Sequence, residues 1–347
     1  MGDVARAIKN KMKTKLRALL AFTLYYSGLE HLLSKLISPK GSFIFMYHSV
    51  GNADFIPKEA NFTLKPNKFE AQIRYLTKRF KILPLADLVK NIENGNGQSG
   101  RYAAVTFDDG YKDNFRIAWP ILSRYGVPAT IFLTTKYIDE GDWIDLNKLY
   151  FRLWQTKTKE ISFSLGEPAE IVSYPLHTKR QRETAVLKIR STLKSLSHKE
   201  RRELLTEITK SLGNSGSPPS GCLDMLSWEE VREMRHKGIT FGAHGVTHAI
   251  LSKLSSQEVR QEIRESKQRI ETMAGQPVDF FAYPNGHWED FNDAIIEMLK
   301  EEGYRGACTT VAGSVKGASD PYQLRRIGTG KNVYRLALDL LISSLQD

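Results

Sequence analysis

Cysteine is scarce in this chain of 347 residues, which contains only Cys222 and Cys308. Two cysteines so far apart in sequence form no disulfide framework and no cysteine-based metal site. Their scarcity fits a reducing compartment, in which disulfides are rare. The sequence also lacks the spacing of zinc fingers and the aromatic-rich basic motifs of RNA-binding domains. We therefore expect no nucleic-acid partner, although the formal net charge is +11.

Long apolar runs are missing as well. The clean apolar run at about residues 18–26 is too short to span a bilayer, and no signal-peptide cleavage site follows it. Basic residues and recurring leucines predict a basic amphipathic segment at residues 1–40, with a helix at about 5–33. Such a helix can lie on an anionic membrane or pack on the main domain. We favour the first, and expect a cytoplasmic protein held peripherally on the inner membrane.

Beyond Pro39, short apolar runs typical of strands alternate with amphipathic helical patterns. Two of the helices begin with a capping box, Ser227 with Glu230 and Ser255 with Glu258. Such β–α alternation predicts a parallel sheet or barrel. The predicted strands are SFIFMYH, KILPL, RYAAVTF, PATIFLTT, ITFGAH, VDFFAYP and YRGACTT.

One stretch, residues 144–226, interrupts this alternation. It is basic and helical in pattern and becomes loop-like towards its end. We predict a helical insertion within a single domain at residues 41–347. Two interpretations stay open, because the insertion can be a spacer, or else a lid or a surface for an acidic partner.

Polar residues fall at the ends of four predicted strands. The first of these strands ends at His48, the second at Asp108 and Asp109, the third at His244 and the fourth at Pro284. In parallel β/α folds the active site forms at the carboxyl ends of the strands, where the following loops converge. These residues are therefore expected to face one cleft.

A metal site is predicted from the same residues, because His248 follows His244 by four positions and can point the same way. Two histidines and one aspartate leave coordination positions of the metal open for water and substrate. This set favours Zn²⁺, although Co²⁺, Mn²⁺ or Ni²⁺ also accept it. If Asp108 or Asp109 binds the metal, the other can take a proton from the water that the metal activates. A leaving amine needs an acid, for which His48 is the candidate.

With these residues assembled, the sequence resembles the polysaccharide deacetylase family, the NodB-homology domain of carbohydrate esterase family 4. TFDDG matches its signature, HGVTH its metal-binding H-[ST]-x-x-H motif, and AYPNG its third motif. The resemblance covers about residues 43–327 outside the insertion. It implies a distorted (β/α)₇ barrel, here with a helical insertion and an N-terminal amphipathic helix. It also implies a metal-dependent hydrolase of carbon–nitrogen bonds that removes acetyl groups from sugars.

Carried over by position, the resemblance makes Asp109, His244 and His248 the metal ligands and Asp108 the general base. MYHSV resembles the early strand of members that process exported poly-N-acetylglucosamine, in which a histidine acts as the acid. His48 would then have this role.

Other site residues follow from the same resemblance. The backbone N–H near Asn285, just after Pro284, would help to hold the oxyanion. Tyr111 would lie by the metal and line the substrate groove, and His287 is a second candidate for the acid. The remaining histidines are interpreted as solvated: His31, His177, His198 and His236.

The sequence departs from the family pattern in two places. Gly245 stands where the family usually has serine or threonine, so we expect a loop-stabilising hydrogen bond to be missing. The third motif lacks the arginine that orients the base, and Arg325 or Arg326 in QLRRI is the candidate substitute.

The predicted function is a bacterial N-deacetylase of exopolysaccharide or glycolipid synthesis, acting on an N-acetylated glycan or a lipid-linked sugar. One alternative keeps the site but hydrolyses a non-sugar amide. Another is a glycan-binding protein on a catalytically decayed barrel, which Gly245 and the missing arginine favour.

Overall fold

A curled parallel sheet organises the chain, since the short apolar runs beyond residue 40 are buried as neighbouring strands. The computed structural model describes residues 16–36, 41–58, 60, 62–95, 102–166, 170–213, 221, 223–235, 237–329 and 332–346. In chain order the strands are β1 (Phe43–Tyr47), β2 (Ser49–Val50), β3 (Thr63–Leu64), β4 (Lys81–Ile82), β5 (Tyr102–Phe107), β6 (Ala129–Leu133), β7 (Glu160–Leu165), β8 (Glu170–Pro175), β9 (Ile239–Ala243), β10 (Phe280–Ala282), β11 (Gly306–Cys308) and β12 (Ile327–Gly328).

Helices connect and cover these strands. They are α1 (16–26), α2 (Leu29–Leu36), α3 (Pro66–Thr77), α4 (Leu85–Glu93), α5 (Trp119–Arg124), α6 (Thr135–Glu140), α7 (Asp145–Gln155), α8 (Lys179–Ser195), α9 (His198–Ser211), α10 (Trp228–Arg235), α11 (Ser256–Ala274), α12 (Asp293–Glu301) and α13 (Val333–Gln346). The capping box predicted at Ser255 is present at the start of α11, where the Ser255 hydroxyl accepts from the Glu258 N–H.

The main sheet has the strand order β11–β10–β9–β6–β5–β1–β12, and β4 pairs beside the start of β5. All of these pairs are parallel. The sheet curls through 243°, so the barrel is incomplete, and this confirms the predicted distorted (β/α)₇ fold. Since the register aligns Phe43–Tyr47 with Ala103–Phe107, β1 and β5 end at the same edge.

The predicted insertion is not wholly helical. Its helices α7, α8 and α9 are accompanied by the antiparallel hairpin of β7 and β8, which was not predicted from the sequence. Inward-facing Ile161 and Phe163 alternate with exposed residues along β7, and this is the period of a half-buried strand. Both side chains join the same hydrophobic core as the barrel.

The N-terminal helices pack on the barrel with one face only. Arg17 of α1 forms an ion pair with Asp339 of α13 at 2.8 Å, and Glu30 of α2 accepts hydrogen bonds from Tyr75 and Arg79 at 2.8 and 2.6 Å. None of the helices in the described part of the chain has the length and hydropathy of a membrane span. Residues 1–15 of the predicted segment lie outside the described residues. Large apolar side chains remain exposed on the other face: Leu16, Leu19, Leu20, Phe22, Tyr26, Leu29 and Leu32.

Candidate metal and catalytic site

Asp109, His244 and His248 come together at the carboxyl edge of the sheet, in the loops after β5 and β9. The carboxylate oxygen Oδ1 of Asp109 lies 3.4 Å from Nε2 of His244 and 3.2 Å from Nε2 of His248. The ligand atoms of the three residues all lie within 4.8 Å of one another. The structure therefore gathers the three residues that the sequence predicted as metal ligands.

The chemistry of this cluster fits a divalent metal. Asp109 Oδ1 is buried and has no hydrogen-bond partner among the described residues. Ligand atoms about 2.0–2.1 Å from a tetrahedral metal are roughly 3.3 Å apart, close to the separations here. His244 donates its Nδ1–H to the carbonyl oxygen of Ala282 at 2.7 Å, and this leaves the Nε2 lone pair for a metal.

The carboxylate in the cluster is ionised. Burial alone would raise the pKa of Asp109, but the neighbouring imidazoles of His244 and His248 outweigh this effect and hold the pKa well below its usual range. An ionised carboxylate beside two imidazole nitrogens is a donor set that zinc and its neighbours bind.

Backbone strain is concentrated at the site. Only four non-glycine residues of the described chain have positive φ, and three of them are Asp109 (76°), His248 (58°) and Asn285 (61°). Such conformations cost roughly 1–3 kcal/mol each and persist where the surrounding fold imposes them. Gly110 has a φ of +89°, and a Cβ there would lie 2.9 Å from a methyl group of Leu133. The DDG turn therefore requires glycine.

Asp108 is held by a buried arginine. The guanidinium nitrogens Nη1 and Nη2 of Arg326 donate to the two carboxylate oxygens of Asp108 at 2.7 and 2.8 Å. Burial alone would raise the pKa of Asp108, but the charge and hydrogen bonds of Arg326 outweigh burial, so the pKa is lowered. Arg325 is exposed and stacks on Trp288. Of the two arginines considered from the sequence, Arg326 is thus the one that contacts Asp108, the residue predicted as the base.

His48 lies on the other side of the base. Its Nε2 is 3.9 Å from Oδ2 of Asp108, and its side chain is 26% exposed. This position, beside the base and open to solvent, is where an acid can meet a leaving group. The structure therefore places His48, and not only the aspartates, at the predicted cleft.

Two residues that the sequence analysis passed over fix the segment around His48. Asn114 donates its amide hydrogen to the carbonyl oxygen of His48 at 2.8 Å, and Asp113 accepts from the hydroxyl of Ser49 at 2.6 Å. Burial raises the pKa of Asp113 to about 6, and its hydrogen bonds offset this only in part. Their position could have pointed to them, because they come just after Lys112, the residue that follows the TFDDGY motif.

The outcome differs between Tyr111 and Asn285, the remaining predicted site residues. The ring of Tyr111 lies near Asp109 but is only 1% exposed, and its hydroxyl accepts from the amide of Asn147 at 2.9 Å. A buried ring presents no free surface to a substrate in this structure. The carbonyl of Asn285 accepts from the Thr310 hydroxyl at 2.5 Å, and this fixes the turn after Pro284. The oxyanion role of this turn stays a prediction.

His287 does not join the cluster. It is exposed, and its backbone N–H donates to Asp290 at 2.9 Å. Within the described chain no ion pair or hydrogen bond connects its side chain with Asp108 or the metal ligands. His48 is therefore the better placed of the two candidate acids.

Residues 95–307 match the sequence model of a family described as polysaccharide deacetylase. This chain belongs to the polysaccharide deacetylase family. Members of the family are hydrolases that act on carbon–nitrogen bonds in N-acetylated sugars. The matched residues include Asp108 and the Asp109, His244 and His248 cluster, whereas His48 and Arg326 lie outside them.

Several relatives agree with this assignment. YxkH of Bacillus subtilis (strain 168), which is named after the same family, is 22% identical over 306 residues, covering 87% of this chain and 76% of the relative. The poly-beta-1,6-N-acetyl-D-glucosamine N-deacetylase of Staphylococcus epidermidis is 32% identical over 90 residues. That match covers 26% of this chain and 31% of the enzyme.

Solved structures share the fold. A deacetylase of Streptococcus pyogenes, PplD, crystallised in complex with acetate, has a TM-score of 0.58 and 20% identity over 88% of this chain and 99% of its own. IcaB from Ammonifex degensii has a TM-score of 0.54 and 15% identity over 88% of this chain and 98% of its own. These likenesses confirm the deacetylase barrel.

Glu262 compensates for the family's missing serine or threonine. It accepts hydrogen bonds from the backbone N–H groups of Val246 and Thr247 at 2.6 and 3.0 Å, and from the Thr247 hydroxyl at 2.6 Å. A Cβ on Gly245 would lie 2.7 Å from the same carboxylate. Gly245 itself offers no side-chain hydrogen bond, but a carboxylate from α11 occupies that space and stabilises the loop.

Replacing Glu262 with alanine is expected to loosen the metal site while leaving the fold intact. The loop between His244 and His248 would lose three hydrogen bonds, and outer contacts of this kind typically change metal affinity by about 10- to 100-fold. Metal titration of the purified variant measures the effect. Glu265→Ala, at an exposed position on the same helix, is the control. Equal metal affinity in both variants would contradict the role given to Glu262.

Proposed function

We propose that this protein is a metal-dependent N-deacetylase that removes acetyl groups from the N-acetylated sugars of a polysaccharide or glycolipid, with Zn²⁺ as the favoured metal. One observation carries the proposal. Asp108, oriented by Arg326, lies directly beside the Asp109, His244 and His248 cluster at one edge of the barrel. A base next to a metal site is the arrangement that amide hydrolysis by water requires.

Asp109, His244 and His248 would hold the metal, which when bound supplies Lewis acidity towards the amide carbonyl and the attacking water. Asp108 takes the proton of that water as its oxygen attacks the acetyl carbon. The strained turn at Asn285 offers a backbone N–H to the developing oxyanion.

His48 completes the reaction. It gives a proton to the amide nitrogen while the carbon–nitrogen bond breaks, so the sugar leaves as an amine and the acetyl group as acetate. Nε2 of His48 lies 3.9 Å from Oδ2 of Asp108, so the two groups can act on the same amide.

Two features support a glycan substrate over a non-sugar amide. The S. epidermidis relative acts, by its name, on poly-beta-1,6-N-acetyl-D-glucosamine, and its similarity is local to part of this chain. The histidine at the end of β1 is the feature by which the sequence resembles members acting on exported poly-N-acetylglucosamine. Arg326 takes the place of the arginine missing from the third motif, and Glu262 stabilises the loop in which Gly245 replaces a serine or threonine. Both observations argue against a decayed site.

Acetate release from N-acetylglucosamine oligomers and lipid-linked N-acetylglucosamine tests the proposal. The metal-loaded protein is expected to release acetate and leave a free amine on the sugar, and chelator treatment should abolish both. If folded, metal-loaded protein releases no acetate from these sugars but hydrolyses simple amides, the non-sugar alternative replaces the proposal.

We also infer that α1 and α2 hold the protein peripherally on an anionic membrane, on the cytoplasmic side. In the sequence, the exposed apolar side chains of α1 and α2 adjoin the basic stretch from Arg6 to Arg17. Apolar side chains beside cationic ones suit the boundary between acyl chains and anionic headgroups. A soluble partner would explain the apolar side chains but would not need the adjoining cations.

Replacing Leu19 and Leu20 with glutamate should release the protein from membranes. Burying a leucine contributes about 1.5–3 kcal/mol, so the double variant is expected to bind phosphatidylglycerol vesicles at least about 100-fold more weakly. Vesicle co-sedimentation measures this change. Ile171→Glu, which alters an exposed apolar residue in the insertion, should bind as wild type. Unchanged binding of the double variant would contradict the membrane role of these helices.

A further inference from the structure

A second feature of the site is a cavity of about 670 Å³ that opens beside the metal cluster. Its walls come from the metal-binding loop at Thr247 and His248, from α6 and α7, and from α9 of the insertion. This size is ordinary for a small-molecule site. Since His248 belongs both to the metal cluster and to the cavity wall, a sugar bound at the metal has the cavity as its neighbour.

The walls of this cavity are strongly cationic. One lining residue, Asp145, is acidic, and Lys148 already pairs with it at 3.4 Å. His198, interpreted from the sequence as solvated, also lines the cavity, and burial lowers its pKa. The basic side chains of the lining are Lys136, Lys148, Arg152, Arg201, Arg202 and Lys210.

Four of these cations form no close ion pair in the described chain. Within the described chain, no carboxylate lies within ion-pair distance of Lys136, Arg201, Arg202 or Lys210. Their mutual repulsion opposes folding, and a cavity lined by charge of one sign attracts ligands of the other sign. Burial lowers the pKa of Arg201, because it disfavours the charged form of the guanidinium. A bound anion would stabilise that charged form.

We propose that this cavity binds a phosphate or diphosphate group of the substrate. The enzyme then acts on an N-acetylated sugar linked to phosphate. This proposal rests on the deacetylase function given above. Arg201 and Arg202 both line the wall formed by α9. Guanidinium groups suit phosphate oxygens, and several cations suit an anion with more than one charge.

A neutral glycan would leave these four cations without a close ion pair. A partly deacetylated glycan fits less well still, because each free amine is a cation that the cavity would repel. The insertion thus serves as a surface for an acidic partner, which is one of the roles considered for it. Its helix α9 provides that surface, and the acidic partner is the substrate.

Substrate preference is the first test. The metal-loaded full-length protein is given a neutral N-acetylglucosamine oligomer, a nucleoside diphosphate N-acetylglucosamine and a short polyprenyl diphosphate N-acetylglucosamine. One of the diphosphate sugars is expected to exceed the oligomer in kcat/KM by roughly 10-fold or more. The nucleotide and polyprenyl arms identify the source of the phosphate. A preference for the neutral oligomer would overturn the proposal.

Variants of the cavity wall form the second test. Arg202→Gln changes an exposed position, and Arg201→Gln/Arg202→Gln removes both charges. Each variant should raise KM for the preferred diphosphate sugar, and the double variant should raise it by roughly 10-fold or more. For both variants, kcat/KM on the oligomer should be nearly unchanged. Lys199→Gln changes the same charge on the same helix outside the cavity, where Lys199 is largely exposed, and should behave as wild type. Equal losses on the charged and neutral substrates would show a merely structural role and overturn the proposal.

Binding separates this proposal from the deacetylase function. If no sugar is deacetylated, the proposed activity fails. Calorimetry with nucleoside diphosphate N-acetylglucosamine then still tests the cavity. Binding that the double variant weakens about 10-fold would support the anion site, and binding that is absent or equal in both proteins would overturn it.

Discussion

Asp108→Asn is expected to lower the rate of acetate release by roughly 10²- to 10⁴-fold, the range by which a general base contributes to catalysis. An asparagine amide can still accept one hydrogen bond from Arg326, but it cannot take the proton of the attacking water. Metal content should be unchanged, because the proposed ligands are Asp109, His244 and His248. Acetate release and metal content measured on the same preparation check both statements.

The matched control is Asp87→Asn, which makes the same chemical change at an exposed position on α4. It is expected to keep wild-type activity and metal content. An active, metal-loaded Asp108→Asn protein would contradict the assignment of Asp108 as the base. Loss of metal together with activity would instead make Asp108 part of the metal site.

Arg326→Met is expected to damage both stability and activity. It leaves the buried carboxylate of Asp108 without the partner that offsets its burial, and breaking a buried ion pair in this way costs about 3–5 kcal/mol of the free energy of unfolding. A base that has lost its orientation should also lower the rate of acetate release by roughly 10²-fold. Denaturant unfolding and acetate assays measure the two effects.

Two further variants separate this explanation from simple loss of packing. Arg325→Met changes the exposed neighbour and should leave stability and activity near wild type. Asp108→Asn/Arg326→Met should be more stable than Arg326→Met alone, because no unpaired charge remains buried. Equal stability of that double variant and of Arg326→Met would contradict the ion-pair explanation.

The barrel and the clustering of Asp109, His244 and His248 could be predicted from the sequence because both rest on local patterns. Strands buried on both faces, such as β5, are continuous apolar runs, and their carboxyl ends share one edge. The residues that follow these ends, Asp108, Asp109 and His244, therefore had to be neighbours.

Other parts of the site depend on contacts that sequence patterns do not express. Arg326 reaches Asp108 across 218 positions and precedes β12, which has two residues and no strand pattern of its own. Glu262 looks like one more polar residue of the amphipathic helix α11, and only the fold shows that it is buried against the metal-binding loop.

The hairpin of β7 and β8 was missed for a different reason. Its strands do alternate, with Ile161 and Phe163 facing the core, but they lie between two strongly helical patterns that dominated the interpretation. The cationic cavity could not be foreseen either, because it forms only where α9 packs opposite α6 and α7 beside His248.

Metal content and acetate release, determined together for wild type and His248→Ala, test the central claim most directly. Wild type is expected to carry close to one divalent metal per chain and to release acetate from N-acetylglucosamine oligomers or diphosphate-linked N-acetylglucosamine. Folded His248→Ala is expected to lose both the metal and the activity. Undiminished acetate release by metal-free wild type or by the variant would contradict the claim that Asp109, His244 and His248 form the catalytic metal site.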